Sequence, residues 1–85
     1  MKMLIFTRVT CSPCHWMKQQ LDGIHDFPVP IEFVDVDDNP QLGMQYRVRS
    51  VPTIVITDRD GATLAQKVGA ASMGELHKLV GEAAQ

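Results

Sequence analysis

Cys11 and Cys14 are the only cysteines in the chain, and Ser12 and Pro13 alone separate them. Two thiols at that spacing can close a structural disulfide, hold a metal, attach haem, or cycle between dithiol and disulfide. A bridge closing so short a loop removes about 2 kcal/mol of unfolded-state entropy, against about 3 kcal/mol for a fifteen-residue loop. A structural staple is therefore a poor use of the pair. A structural zinc ion needs four ligands. His15, His25 and His77 are the only histidines, and their spacing matches no zinc pattern, which leaves only a site shared between two chains. Cys11-Ser12-Pro13-Cys14-His15 also fits the haem-attachment pattern C-x-x-C-H. That attachment takes place outside the cytoplasm, and Met17 is too near to be the opposite axial ligand.

Redox cycling has a positive physical case. The pair stands where an apolar, strand-like run gives way to helical spacing, so Cys11 falls at a helix start. The first N–H groups of a helix have no intrahelical partner, and the macrodipole is positive there. Both effects favour a thiolate over a thiol and lower the pKa of Cys11. Cys14 lies one turn further in and is expected to be more buried. Cys11 is thus the expected nucleophile and Cys14 the expected resolving thiol.

The elements that position this pair follow from pattern. Residues 2–7 are an apolar run without helix caps, which predicts a strand buried on both faces. Pro13 suits a first helical turn, and Met17, Leu21 and Ile24 then recur at helical spacing. Gly23 and Asp26-Phe27-Pro28-Val29-Pro30 end that helix. Residues 31–36 predict a second strand, making a βαβ unit. Asn39 as cap and Pro40 as first residue open a short helix to about Tyr46. Residues 51–57 predict a third strand, with Pro52 tolerable only at its start or on an edge. Asp58-Arg59-Asp60-Gly61 is a turn into a fourth strand over 62–68. Ser72 with Glu75 forms a capping box for a last helix, whose apolar stripe is Leu76, Leu79, Val80 and Ala83.

The predicted order is βαβαββα, an α/β fold with one four-stranded mixed sheet and helices on both faces. At 85 residues, 45% of them hydrophobic, the chain has the size and composition of one domain with one core, spanning 1–85. A net charge of −2 provides no basic stripe for nucleic acid. Arg47 and Arg49 are the densest basic spot and read as an exposed loop. The apolar run near Met1 is too short for a secretory signal or a membrane span. A cytoplasmic protein, without membrane or nucleic-acid partners, is expected.

Motif and order together resemble the thioredoxin superfamily in its minimal form, over essentially the whole chain. The resemblance is carried by the strand-to-CxxC junction, Asp37-Asp38-Asn39-Pro40, Tyr46-Arg47-Val48-Arg49-Ser50-Val51-Pro52-Thr53, Val68-Gly69-Ala70, and the separation of Pro40 from Pro52. It implies a protein dithiol–disulfide oxidoreductase without a cofactor beyond the Cys11–Cys14 pair. Val51 and Pro52 resemble the family's cis-proline dipeptide, which binds substrate backbone, and Gly69 and Ala70 resemble the floor of the same groove. Thr10, Ser12 and Pro13 correspond to the active-site turn, where Pro13 implies a reducing poise. The implied partners are disulfide-containing proteins and an NADPH-dependent flavin thioredoxin reductase, acting on a monomer.

Three positions depart from the family. Thr10 stands where thioredoxins carry tryptophan. Ile5 replaces a buried aspartate that serves as proton acceptor for the resolving thiol, and Phe33 replaces its lysine neighbour. His15 is the candidate substitute for proton transfer, since imidazole is the side chain suited to that task near neutrality. Trp16 is expected to pack on the helix flank. Glutaredoxins share the compact length, but their glycine pair and aspartate after the last strand are missing. A glutathione-dependent reductase is therefore the weaker reading, and a non-catalytic metal-binding module of the same fold is a third.

Overall fold

Lys2–Thr7 forms strand β1, and every residue after Lys2 is buried. Successive side chains on a strand point to opposite faces, so a run that is apolar throughout must be covered on both sides. The computed structural model, which describes residues 1–85, shows that covering. After β1 come α1 (Ser12–Leu21), β2 (Ile31–Asp35), α2 (Pro40–Gln45), β3 (Thr53–Thr57), β4 (Thr63–Val68) and α3 (Met73–Ala83). The order is βαβαββα, as the pattern predicts.

The four strands form one sheet in the order β2-β1-β3-β4. β1 runs parallel to β2, while β1–β3 and β3–β4 are antiparallel. Alternation divides the core in two. Met3 and Ile5 of β1 and Ile54 and Ile56 of β3 pack with Met17 and Leu21 of α1 and with Leu76, Leu79 and Ala83 of α3. Leu4, Phe6 and Val55 face the other way, onto Val34 and Val36, and are covered by Leu42, Tyr46 and Val48. Each fully buried Ile, Met or Phe contributes about 1.5–3 kcal/mol of transfer free energy.

Element ends differ from the sequence pattern where backbone geometry intervenes. Helix α1 stops at Leu21 because Asp22 leaves helical geometry (φ −64, ψ 128) and Gly23 turns the chain at φ +78. Ile24, expected on the helical stripe, therefore lies beyond the helix and is 40% exposed. Asn39 occupies the cap position of α2 but makes no capping bond; its amide Nδ2 donates to the carbonyl of Asp35 instead. β3 begins at Thr53 rather than Val51, since Pro52 has no N–H for the ladder. β4 begins at Thr63, and its register against β3 slips at Thr57, where a bulge accommodates the turn. The capping box of α3 is complete: Glu75 N–H donates to Ser72 Oγ at 3.2 Å, and Ser72 N–H to Glu75 Oε1 at 3.1 Å.

Candidate active site around Cys11 and Cys14

Cys11 is the N-cap of α1, in extended geometry (φ −96, ψ 107). Its Sγ accepts a hydrogen bond from the backbone N–H of Cys14 at 3.2 Å. A cap satisfies one of the helix's orphan N–H groups, usually through Ser, Thr, Asp or Asn oxygen; here sulfur does so. The same contact places the sulfur at the positive end of the helix, where negative charge on it is stabilised. Pro13 falls in the first turn, where its missing N–H leaves no bond unmade. Cys11 is partly accessible, while Cys14 is only 1% exposed. The two are joined as a disulfide with Cα atoms 5.2 Å apart.

The sheet brings the other predicted residues to the same end of the molecule. Phe6 pairs with Thr53, and Thr53 with Val68. The end of β1, the start of β3 and the end of β4 are therefore level. The loop to Cys11, the Val51–Pro52 dipeptide and the Gly69–Ala70 segment all leave the sheet there. The Val51–Pro52 bond is cis. Pro52 is buried, and its carbonyl accepts the N–H of Gly69 at 2.8 Å. Gly69 adopts φ +101, a conformation that L side chains rarely adopt. Neither the N–H nor the C=O of half-buried Val51 has a partner within the chain. Thr53 Oγ1 donates to the Ser50 carbonyl at 2.7 Å and closes the turn that presents Val51. Ala70, Ser12 and Thr10 are exposed.

His15 is exposed, and its Nε2–H donates to the carbonyl of Val9 at 2.6 Å. A carbonyl only accepts, so Nε2 carries a proton in this contact. Trp16, expected on the helix flank, lies in α1 and is 43% exposed. Ile5 is fully buried and pairs across the sheet with Phe33, so the position of the family's buried acid is apolar. Lys18 Nζ lies 5.6 Å from the centre of the Phe33 ring. No three His, Cys, Asp or Glu side chains converge as a metal would require.

Sequence reading missed Arg8, whose Nε donates to Asp37 Oδ1 at 3.3 Å. Only the register of β1 on β2, with Thr7 opposite Asp35, brings the residues just beyond each strand together. The largest cleft, about 430 Å³, is lined by Leu21, Ile24, Phe27 and Phe33 and contains none of the cysteine-site residues. It is a gap left by the α1–β2 loop. Exchange with a protein disulfide needs an open groove rather than an enclosed cavity, so its distance from Cys11 is no contradiction.

The family model for the thioredoxin-like domain matches residues 1–84. The chain belongs to this family. It is 32% identical over 71 residues to the thioredoxin of Staphylococcus epidermidis, covering 80% of this chain and 67% of that protein. To the thioredoxin of Methanocaldococcus jannaschii it is 36% identical over 58 residues, covering 65% and 68%. Among solved structures, thioredoxin 1 of Thermosipho africanus superposes with a TM-score of 0.78 at 29% identity, over 95% of this chain and 91% of that one. A mutant thioredoxin of Halobacterium salinarum gives 0.86 at 26% identity, over 99% and 74%. With a cysteine pair at disulfide distance on this fold, the chain is a thiol–disulfide oxidoreductase. Membership of the thioredoxin family implies disulfide-containing protein substrates and a thioredoxin reductase as electron donor. No helix is long and apolar enough to cross a membrane.

Proposed function

We propose that this chain reduces protein disulfides through Cys11, with Cys14 as the resolving thiol. The observation that carries the assignment is the asymmetry of the pair: Cys11 Sγ is the accessible helix cap and Cys14 is buried. The Cys11 thiolate attacks one sulfur of the substrate disulfide, and the departing sulfur takes a proton. Cys14, deprotonated in turn, attacks Cys11 Sγ. The second substrate thiol leaves and the Cys11–Cys14 disulfide closes, so two electrons have passed to the substrate.

The substrate strand lies along Val51, Pro52, Gly69 and Ala70. Its backbone pairs with the free N–H and C=O of Val51 in the manner of strand addition. Thr10, Ser12 and Pro13 form the turn that presents the Cys11 sulfur. His15 takes part in proton transfer through Nδ1, its Nε2–H being engaged by Val9. The protein acts as a cytoplasmic monomer, one domain over 1–85, without nucleic acid, membrane, metal or further cofactor. An NADPH-dependent flavin reductase returns the two electrons.

Trapping tests the roles. Cys14→Ser protein is expected to accumulate mixed disulfides joined at Cys11, while Cys11→Ser protein accumulates none. Partners found attached through Cys14 would reverse the assignment. Recycling by glutathione faster than by a flavin reductase would replace the thioredoxin reading with the glutathione-dependent one.

A further inference from the structure

Beside Val51 the structure holds a second cleft, of about 280 Å³, between the β1–α1 loop, the start of α2 and the α2–β3 loop. Arg8, Asp37 and Arg49 are its only charged lining residues, two cations against one carboxylate. The single carboxylate is already engaged, since Asp37 Oδ1 accepts from Arg8 Nε. That contact uses one N–H of Arg8 and leaves its two terminal nitrogens unbonded. Arg49 is exposed and has neither a carboxylate within ion-pair distance nor a hydrogen bond in the chain. The cleft thus has a net positive charge on a chain whose net charge is −2. Met44, 78% exposed, stands on its rim as a flexible apolar contact.

Val51 links the cleft to the exchange site. It lines the cleft, immediately precedes Pro52, and keeps both backbone groups unpaired. An extended peptide docked on Val51 advances about 3.3 Å per residue and alternates its side chains. A side chain two to four residues from the substrate cysteine therefore reaches the cleft. We propose that this cleft takes an acidic side chain of the substrate, held between Arg8 and Arg49, so that disulfides flanked by Asp or Glu are preferred. The proposal rests on the reading of Val51 as substrate-binding. Arginine suits it, because the guanidinium fork matches a carboxylate and stays charged at all relevant pH values.

The test uses pre-reduced full-length protein in single turnover against synthetic peptides with one internal disulfide. The peptides carry Glu, Gln or Lys at positions two and four residues from the reactive cysteine, on either side. Glu peptides are expected to react about five-fold faster than Gln peptides at low salt, and Lys peptides slower still. The advantage shrinks in high salt, as exposed charges are screened. In Arg49→Gln and Arg8→Gln proteins the Glu/Gln ratio falls toward one, while Arg59→Gln, in the β3–β4 turn, keeps the wild-type ratio. Equal Glu and Gln rates in wild type, or a ratio unchanged in both cleft variants, overturns the proposal and leaves the oxidoreductase reading standing. No reduction of any peptide overturns both.

Discussion

Gly69 donates its backbone N–H to the carbonyl of Pro52 at 2.8 Å, tying the end of β4 to the residue just before β3. Gly69 itself holds φ +101, which turns the chain away from the sheet just after this bond. A Cβ at Gly69 meets nothing within 4 Å, so the constraint is conformational and not steric. Gly69→Ala is expected to cost about 1–2 kcal/mol. For a domain of this size each kcal/mol lowers Tm by about 4–8 °C. Thermal unfolding checks it; an unchanged Tm would mean the backbone relaxes there freely.

Ile5 is fully buried between its partners Phe33 and Ile54. Restoring the family's acid by Ile5→Asp therefore places a carboxyl within an apolar cluster. The expected loss near neutral pH is about 3–5 kcal/mol. Burial raises the pKa of such a carboxyl in the folded state. Stability is then retained below the unfolded-state value and lost as pH rises through the folded one. Urea midpoints at pH 4 and pH 7 separate the outcomes, and an equal loss at both would refute the electrostatic account.

Arg47 sits at φ +56 just past the C-cap of α2, where its N–H bonds the Met44 carbonyl and Val48 N–H bonds that of Gly43. This is the Schellman pattern, which favours glycine at the left-handed position. Arg47→Gly is expected to stabilise the fold by about 1 kcal/mol. A higher denaturation midpoint with an unchanged m-value is the sign to look for.

Glu75 is held below the ordinary carboxylate range, first by the backbone N–H of Ser72 and then by its hydroxyl, with Lys67 adding a smaller attraction. A depressed folded-state pKa gives stability that is present above the unfolded-state value and lost as pH falls through the folded one. Glu75→Gln should therefore flatten the decline of Tm on acidification below the ordinary carboxylate range. Ser72→Ala removes the cap itself and is expected to cost about 1 kcal/mol at neutral pH. Melting curves on a pH series test both; a Glu75→Gln profile parallel to wild type would reject the linkage.

Features that depend on a few neighbouring residues were legible without the fold. The Cys11–Cys14 spacing, the proline in the first turn, the Ser72–Glu75 box and the turn at residues 58–61 are encoded within four positions of one another. The continuous apolar run in residues 2–7 likewise predicted a strand covered on both faces, as β1 is. Helix α1 was read too long because Ile24 kept helical spacing by coincidence. Periodicity does not register that Asp22 has already left helical geometry.

The sequence by itself determined the class of chemistry and the element order, because caps, turns and periodicity are short-range and each is decided locally. The tertiary structure alone decided what meets what. Sheet register set Ile5 against Phe33 and brought Gly69 to Pro52. It also placed Arg8 against Asp37, 29 positions away in the chain, on the wall of a cleft beside Val51. Strand pairing is a long-range choice settled by burying both faces of β1 at once. The surroundings of Cys11 therefore emerge only when the whole sheet has closed.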